Sequence, residues 1–374
     1  MLFLSADLGG NVPPTMAIAW ELCRRGVHVD VAGILVGTRP VAAAGERPID
    51  DSTPIEVHAS WGQERDAMGT PQPAGPALLR IFFSRSLAAE AESLIRGRRP
   101  DVVVVDCMAL ALIKGANRAG LPVVVLLHTF GEYWRRAFLR GPFAAMVGAI
   151  GFSPRALWQA ATVRLLLTDP VLDPASREPE FADYRWTGTT EVSAVESERG
   201  PDTTVPRVIV SFSTTSLPGM RRAYGNVIEA LRELPVQAIV TTGGFVLGDP
   251  APAAPNVQVR GYVPHAEVLP GAALVIGHGG HSTTMKALSH GVPLLVMPLN
   301  PTADQGLIGD VVERSGLGRR ISARSDPATI RREVAELLQN PAVRERAQTT
   351  AARLRSAPPG AEVAADRILE TARS

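Results

Sequence analysis

The segment Gly277–Thr284 combines glycines, histidines and hydroxyl side chains at the point where an apolar run ends. It reads GHGGHSTT, follows LVI, and precedes an amphipathic stretch that predicts a helix. Glycines let the backbone approach a ligand, and the free N–H groups and dipole of a helix N-terminus favour an anion. We therefore expect a phosphate site here, with His278 as a donor from the strand tip. The alternative is an ordinary glycine-rich turn capped by Ser282.

Two titratable residues stand at other predicted strand ends. Asp106 ends the run VVVVD, and His128 directly follows VVVLL. A carboxylate in a partly apolar cleft can have a raised pKa, and a histidine titrates near neutral pH, so either can serve as a general base. Glu132, in the loop beyond His128, is a third candidate base. The structural alternatives are a helix-entry carboxylate for Asp106 and a histidine of the core or of a pocket wall for His128.

The candidate residues can act together only if the ends of their strands lie close to one another. The hydrophobic pattern predicts strands and helices that achieve this. Short apolar runs alternate with helical spacing, beginning with the strand Leu2–Ser5 and the helix Thr15–Arg25. A second series begins at Val208–Phe212 and includes the strand Leu274–Ile276 and the helix Ser282–His290. Such βα repeats predict parallel sheets covered by helices, with ligands at the carboxyl ends of the strands.

The alternation breaks at the stretch TGTTEVSAVESERGPDTTV, which is rich in Thr, Ser, Glu and Gly. We predict an α/β chain of two Rossmann-like domains facing across a cleft. The first domain covers residues 1–190, a linker covers 191–205, and the second domain covers 206–374. The last helix, near Ala361–Ala372, is a candidate to pack back on the first domain.

The composition of the 374 residues argues against several classes of protein. With 38 basic and 37 acidic residues the net charge is +1, so nothing indicates a nucleic-acid surface. The longest near-apolar run, Phe143–Phe152, has about half the length that a membrane span needs. The N-terminus lacks the basic region of a signal peptide, and two cysteines make no disulfide framework. We expect a cytoplasmic protein without stable membrane insertion, as a monomer or homodimer.

Residues Gly261–Gly318 resemble the donor signature of glycosyltransferase family 1, the UDP-glycosyltransferase superfamily, in its bacterial natural-product type. The matching stretch reads GYVPHAEVLPGAALVIGHGGHSTTMKALSHGVPLLVMPLNPTADQ, and the resemblance extends over nearly the whole chain. It implies the GT-B fold, with an acceptor-binding first domain and a second domain that binds a nucleotide-sugar. The implied donor contacts are His278, Gly280, Ser282, Thr283 and Thr214 at the diphosphate, Tyr262 and Val263 beside the base, and Asp304 and Gln305 at the sugar hydroxyls.

Two positions depart from the family pattern. Asn11 replaces the histidine that deprotonates the acceptor, and an amide can orient a nucleophile but has no useful basicity. The aspartate that normally polarises that histidine is retained as Asp106, so Asp106, His128 and Glu132 become the candidates for the base. Lys286 stands where many members carry a glutamate that binds the ribose hydroxyls. A lysine cannot accept those hydrogen bonds, which favours a dTDP-sugar over a UDP-sugar.

Residues 130–167 are rich in aromatic and apolar side chains and are interrupted by glycines. By the resemblance this segment forms the acceptor pocket, and a plastic hydrophobic pocket suits a small polyketide- or phenol-like acceptor. The alternative for any one of these side chains is simple helix core. The expected acceptor contacts are Phe130, Tyr133, Trp134, Phe143 and Met146.

These residues predict an inverting glycosyltransferase, in which the acceptor attacks the anomeric carbon while the stabilised diphosphate leaves. The missing histidine also allows a C-glycoside, formed through an electron-rich aromatic carbon. We expect no cofactor and no metal, because the chain lacks an Asp-X-Asp donor motif and its His and Cys residues are scattered. The alternatives are a non-catalytic glycosyltransferase-like helper protein and a GT-B sugar-nucleotide epimerase.

Overall fold

The computed structural model describes residues 1–6, 10–34, 55–57, 80–192, 205–213, 216–247 and 254–373. The chain divides into two compact units: Met1–Thr190 together with Pro358–Ser374, and Glu191–Ala357. The chain therefore leaves the first unit near the boundary predicted at residue 190 and returns to it for its last helix. Most of the predicted linker, residues 193–204, lies outside the described residues.

The first unit is built on a parallel sheet, in which the described strands are ordered β3-β2-β1-β4-β5-β6-β7. The strands are β1 (Leu2–Ala6), β2 (Val29–Ile34), β3 (Ile55–Val57), β4 (Val103–Asp106), β5 (Val123–Leu127), β6 (Val163–Leu166) and β7 (Arg185–Trp186). The helices are α1 (Val12–Arg24), α2 (Arg85–Arg98), α3 (Leu110–Ala119), α4 (Gly131–Trp134), α5 (Pro142–Ala149) and α6 (Pro154–Gln159). A π-helical turn, Arg135–Leu139, continues α4.

The second unit has its own parallel sheet, in which the described strands are ordered β10-β9-β8-β11-β12-β13. The strands are β8 (Arg207–Ser211), β9 (Gln237–Thr241), β10 (Val257–Arg260), β11 (Leu274–Gly277), β12 (Leu294–Val296) and β13 (Gly318–Arg320). The helices are α7 (Met220–Arg232), α8 (His265–Val268), α9 (His281–Ser289), α10 (Gln305–Arg314), α11 (Pro327–Gln339) and α12 (Pro341–Ser356). The final helix, α13 (Gly360–Arg373), belongs to the first unit.

The central strands are valine- and leucine-rich and are buried along their whole length, as expected when helices cover both faces of a parallel sheet. Helix α1 begins at Val12, three residues before the predicted Thr15. The reason is that Pro13 and Pro14 fit the first turn of a helix, where their missing N–H groups need no partner.

The strand register explains which side chains meet at the carboxyl edge of the first sheet. Strand β4 lies between β1 and β5, with Leu4 opposite Val105 and Asp106 opposite Leu126. Because side chains alternate along a strand, Asp106 and His128 project toward the same face. Asn11 immediately precedes α1, at the carboxyl end of β1.

Helix α13 completes the core of the first unit. Its Ala364, Ala365 and Ile368 are fully buried in the hydrophobic cluster that contains residues of β1, β4 and α1. Arg25 forms an ion pair with Asp366 at the edge of the same contact. No described helix of the chain combines the length and the apolar composition that crossing a membrane would take.

Candidate active site

In the first unit, Asp106 forms the centre of a buried hydrogen-bonded cluster. Asn11 Nδ2 donates to Asp106 Oδ2 at 2.5 Å, and His128 Nε2 lies 2.8 Å from the same oxygen. The backbone N–H of Met108 donates to Asp106 Oδ1 at 2.7 Å. Asn11, Asp106 and His128 are all buried, so the three predicted residues are brought together beyond the ends of β1, β4 and β5.

The environment of Asp106 contradicts the expectation of a raised carboxylate pKa. Burial by itself raises the pKa of Asp106, but the charge of His128 and the hydrogen bonds from His128, Asn11 and Met108 outweigh it and hold the pKa below its usual value. A carboxylate that stays ionised and accepts several hydrogen bonds is a poor proton acceptor. Asp106 is therefore suited to orient its neighbours and to stabilise a positive charge.

Glu132 was the third candidate base, and the structure assigns its carboxylate to ion pairs. Arg135 donates to it through Nε and Nη2 at 2.7 and 2.8 Å, and Arg136 Nε donates at 2.5 Å. Burial raises the pKa of Glu132, but the two guanidinium groups more than offset that effect and lower it. Glu132 holds together the helical segment that follows His128, and these ion pairs argue against its predicted role as a base.

The backbone around His128 is tightly held. Trp134 Nε1 donates to the carbonyl oxygen of His128 at 2.7 Å, and the next residue, Thr129, has φ +66°. A left-handed backbone is unusual for a β-branched residue and is maintained only where the surroundings impose it. Asp173 accepts from the N–H groups of Gly131 and Glu132, at the start of α4. The roles of Thr129 and Asp173 carry no local sequence signal and were not predicted.

The predicted acceptor residues differ in exposure. Phe130 and Trp134 are about 1% exposed and form part of the core, and this burial argues against their predicted contact with the acceptor. Phe143 is half-buried and contacts Phe82 and Phe138 edge to face, with ring centroids 5.2 and 4.9 Å apart.

Two other predicted contacts are more accessible. Tyr133 is half-buried against Trp134, at 5.1 Å between ring centroids. Met146 is 55% exposed on α5. Acceptor contact by Tyr133, Phe143 and Met146 stays a prediction.

In the second unit, the turn between β11 and α9 has space only for glycine at several positions. Gly279 has φ +85°, and a Cβ atom there would lie 2.8 Å from both Gln305 O and Val296 Cγ1. A Cβ on Gly280 would lie 2.8 Å from His278 Nε2, because the imidazole ring packs directly over that residue. The turn is thus packed tightly against Gln305, Val296 and His278, directly before the start of α9, where a phosphate could bind.

His278 is a largely buried histidine at this turn. Burial lowers its pKa to about 4, so the ring is neutral at pH 7. Its Nδ1 is buried without a hydrogen-bond partner among the described residues. A buried polar atom of this kind calls for a partner, and a ligand oxygen would supply one.

Helix α9 begins at His281, and its N-cap residue, Gly280, has no side chain with which to cap it. Ser282 and Thr283, both half-buried, lie in the first turn, where backbone N–H groups have no intrahelical acceptor. The helix dipole adds partial positive charge at the same point. These groups can bind an anion together with His278.

The remaining predicted donor contacts have distinct surroundings. Tyr262 is 50% exposed, whereas Val263 and Asp304 are half-buried, with Asp304 at the N-cap position of α10. Gln305 Oε1 accepts from the N–H groups of residues 299 and 300, both at 2.8 Å, so its carbonyl oxygen is occupied by the backbone. Thr214 lies outside the described residues.

Lys286 does not simply extend into solvent. Its Nζ lies 3.5 Å from Glu191 Oε2, and Glu191 is buried. Nearby, His265 Nε2 is 3.0 Å from Ser211 Oγ. Burial, followed by the charges of Lys286 and His290, lowers the pKa of His265 to about 4. His265 and Glu191 were not predicted as site residues, although His265 lies within the quoted GYVPH motif.

Asp106, Cys107 and His128 place three ligand-type atoms within 4.8 Å of one another. Asp106 and His128 are already at hydrogen-bonding distance from each other. Burial, reinforced by the charge of Asp106, raises the pKa of the Cys107 thiol well above its usual value. The thiol is therefore protonated at neutral pH, and the arrangement is that of a hydrogen-bonded pair beside a neutral thiol.

Comparisons with known proteins find related glycosyltransferases. Residues 225–370 match the family model of the erythromycin biosynthesis protein CIII-like C-terminal domain. Demethyllactenocin mycarosyltransferase of Streptomyces fradiae is 29% identical over 346 residues, which cover 80% of this chain and 71% of the relative.

Two crystal structures of glycosyltransferases show the same fold over almost the whole chain. The calicheamicin glycosyltransferase CalG4 superposes with a TM-score of 0.73 at 22% identity, covering 99% of this chain and 97% of CalG4. Glycosyltransferase VinC, in complex with dTDP, has a TM-score of 0.71 at 17% identity and full coverage of both chains. The chain is a glycosyltransferase with the GT-B fold, and its C-terminal region is similar to the C-terminal domain of erythromycin biosynthesis protein CIII-like proteins.

Proposed function

We propose that this glycosyltransferase inverts the anomeric centre as it moves a sugar from a nucleoside diphosphate sugar to a small hydrophobic acceptor. The observation that carries the proposal is the glycine-rich turn before α9. Its glycines pack closely against Gln305 and His278, and the buried Nδ1 of His278 lacks a partner among the described residues. Together with the first turn of α9, these features suit the diphosphate of the donor, whose negative charge grows as the sugar–phosphate bond breaks.

For the nucleotide, we propose dTDP in preference to UDP. Lys286 stands where many relatives carry a ribose-binding glutamate, and its ammonium group is paired with Glu191. An ammonium group cannot accept a hydrogen bond from a ribose 2′-hydroxyl, and a deoxyribose makes no such demand. The complex of VinC with dTDP and the mycarosyl group in the name of the Streptomyces fradiae relative are consistent with a dTDP-linked deoxysugar.

For the acceptor, we propose a polyketide- or phenol-like molecule that contacts Tyr133, Phe143 and Met146. These side chains offer aromatic and apolar surface next to the segment that holds His128. Attack by a hydroxyl oxygen gives an O-glycoside. A phenol can also react through a ring carbon, so a C-glycoside is the second product to look for.

The helper protein and the epimerase remain alternatives for this chain. A non-catalytic helper needs neither a glycine-rich turn suited to a diphosphate nor an ionised carboxylate paired with a histidine, and the chain has both the turn and the pair. An epimerase has no evident use for apolar surface directed at a second substrate. We therefore favour the transferase.

The test begins with thermal unfolding in the presence of UDP and dTDP. We expect stabilisation by dTDP at least, and its loss in the His278→Ala variant, with circular dichroism unchanged. An acceptor panel with dTDP- and UDP-sugars, analysed by mass spectrometry, then identifies the product. EDTA should leave the transfer rate unchanged, since no metal is proposed. Absence of nucleotide binding together with absence of transfer would refute the proposal.

A further inference from the structure

The hydrogen bond between His128 and Asp106 determines which imidazole nitrogen is basic. The Asp106 carboxylate is ionised and can only accept a hydrogen bond, so His128 Nε2, 2.8 Å away, must carry the hydrogen. In a neutral imidazole the other nitrogen then has a bare lone pair. His128 Nδ1 is therefore the atom that can take up a proton.

That nitrogen is in an unusual position for a buried acceptor. His128 Nδ1 has no hydrogen-bond partner among the described residues. The hydroxyl oxygens of Ser5, on β1, and Thr129 are likewise buried without a partner in the described part of the chain. Three buried polar atoms without hydrogen bonds, at the carboxyl ends of β1 and β5, lower the stability of the fold unless a ligand forms hydrogen bonds with them.

The imidazole of His128 is also fixed in one orientation by its neighbours. Asn11 and Met108 fix the Asp106 carboxylate, which in turn fixes the imidazole. Trp134 fixes the His128 carbonyl oxygen, and the left-handed backbone of Thr129 limits how the chain can leave that position. A proton acceptor placed in this way needs no reorganisation when the reaction occurs.

We infer that His128 is the general base, acting through Nδ1, and that Asp106 and Asn11 are positioning residues. This inference rests on the proposed function. The inference places the base at a different position from that of the family. Asn11, beyond β1, occupies the position of the family histidine. His128 follows β5 and contacts Asp106 from the other side of β4.

In the proposed step, His128 Nδ1 removes a proton from the acceptor while the glycosidic bond forms. The O–H bond of the acceptor breaks, and its proton forms a bond to Nδ1. The oxygen lone pair forms the new bond to the anomeric carbon. The bond from that carbon to the diphosphate oxygen breaks, and the diphosphate leaves with the electron pair. Asp106 stabilises the imidazolium, and the neutral Cys107 thiol lies beside the pair.

The first experiment compares His128→Asn with His28→Asn on the acceptor identified by the panel. An asparagine at 128 can still hydrogen-bond Asp106 but is not basic, so kcat should fall by about 10²–10⁴-fold. His28 is a matched control, because it is an exposed histidine 4.0 Å from Asp30, and its variant should turn over normally. Stabilisation by dTDP should be kept in both variants.

A second measurement separates proton transfer from a merely structural role. A more acidic acceptor needs less help from a base, so the loss in His128→Asn should shrink as the acidity of the acceptor hydroxyl increases. The rise of kcat/KM with pH that reports deprotonation of the base should also disappear in this variant. An equal loss on all acceptors, with an unchanged pH profile, would assign His128 to structure alone.

The third experiment moves the histidine back. In the double variant His128→Asn/Asn11→His, an imidazole stands again at position 11 and can bond Asp106, so transfer should recover at least about tenfold over His128→Asn. If the double variant stays as slow as the single one, the exchange of positions is not supported. The inference fails if the native protein transfers sugar and His128→Asn does so equally well. The proposed function fails if the native protein transfers no sugar.

Discussion

His265 and His278 are neutral at pH 7 for a reason that also makes the second unit sensitive to acid. Burial lowers the pKa of each to about 4, with a further contribution from Lys286 and His290 at His265. In the unfolded chain both would titrate near 6.5. Neutrality suits a ligand site, because a neutral imidazole can still donate one hydrogen bond to a phosphate oxygen and is charged only when the ligand stabilises the proton.

The stability of the second unit depends on pH, because His265 and His278 bind protons more weakly in the folded state than in the unfolded chain. Between pH 6.5 and about 4 the unfolded chain binds protons that the folded second unit excludes, so stability falls as the pH falls through this window and is unaffected by these groups above it. We expect the double variant His265→Gln/His278→Gln to lose less stability between pH 7 and pH 5 than the native protein.

The measurement can distinguish the two units. All five tryptophans lie within residues 20–186, so tryptophan emission reports the first unit, whereas circular dichroism reports both. A transition seen only by circular dichroism belongs to the second unit. The exposed His28→Gln variant is the control and should retain the native pH dependence. Parallel loss in the native protein and the double variant would show that these histidines do not carry the effect.

At the scale of elements, strongly apolar segments could be predicted from the sequence. The apolar run VVVLL, predicted to be a strand, has the bounds observed for β5. Helix α12 was missed, since its buried residues are Ala347, Ala351 and Leu354, and alanines produce little apolar periodicity. Strand β13 was also missed, because a short edge strand of one glycine and two arginines resembles a loop.

The candidate site could be predicted only in part, for related reasons. Apolar runs located Asp106 and His128 at strand ends, and the parallel sheet brought them together. The direction of the pKa shift at Asp106 could not be predicted, because burial and hydrogen-bond donors act in opposite directions and their balance depends on atomic contacts. The ion pairs of Glu132 with Arg135 and Arg136 could not be predicted, because they require helical spacing in a segment interpreted as a loop.

The turn between β11 and α9 makes a prediction at the same scale. In Gly279→Ala the new methyl group would meet Gln305 O and Val296 Cγ1 in a left-handed backbone, which should destabilise the second unit by about 1–3 kcal/mol and abolish stabilisation by dTDP. The control is Gly225→Ala in α7, where a Cβ meets nothing within 4 Å, and which should be stabilising by about 0.5–1 kcal/mol. Native-like nucleotide binding by Gly279→Ala, in calorimetry, would contradict the assignment of this turn.

At the scale of the whole molecule, the first unit consists of two parts of the chain that are far apart in sequence. Helix α13 contributes Ala364, Ala365 and Ile368 to the core around β1 and α1. The second unit, Glu191–Ala357, is continuous. Damage to α13 should therefore affect the unit at the other end of the sequence more than the unit beside it.

We predict that Ile368→Ala lowers the stability of the first unit by about 2–5 kcal/mol, because it removes a fully buried side chain. The tryptophan transition should move to lower temperature, while dTDP still stabilises the transition seen only by circular dichroism. Arg367→Ala, on the exposed side of the same helix, should have little effect. If Ile368→Ala shifted only the second transition, α13 would not belong to the first core.

The return of the chain to the first unit has a consequence for how the protein emerges from the ribosome. The 167 residues of Glu191–Ala357 (357 − 191 + 1) are translated between the two parts of the first unit. At about 5–20 residues per second, this is a delay of roughly 10–30 s. During that delay the nascent first unit exposes the apolar surface that α13 will cover, and a chaperone could bind there. The second unit meets no such interruption, so the unit that is synthesised first is completed last.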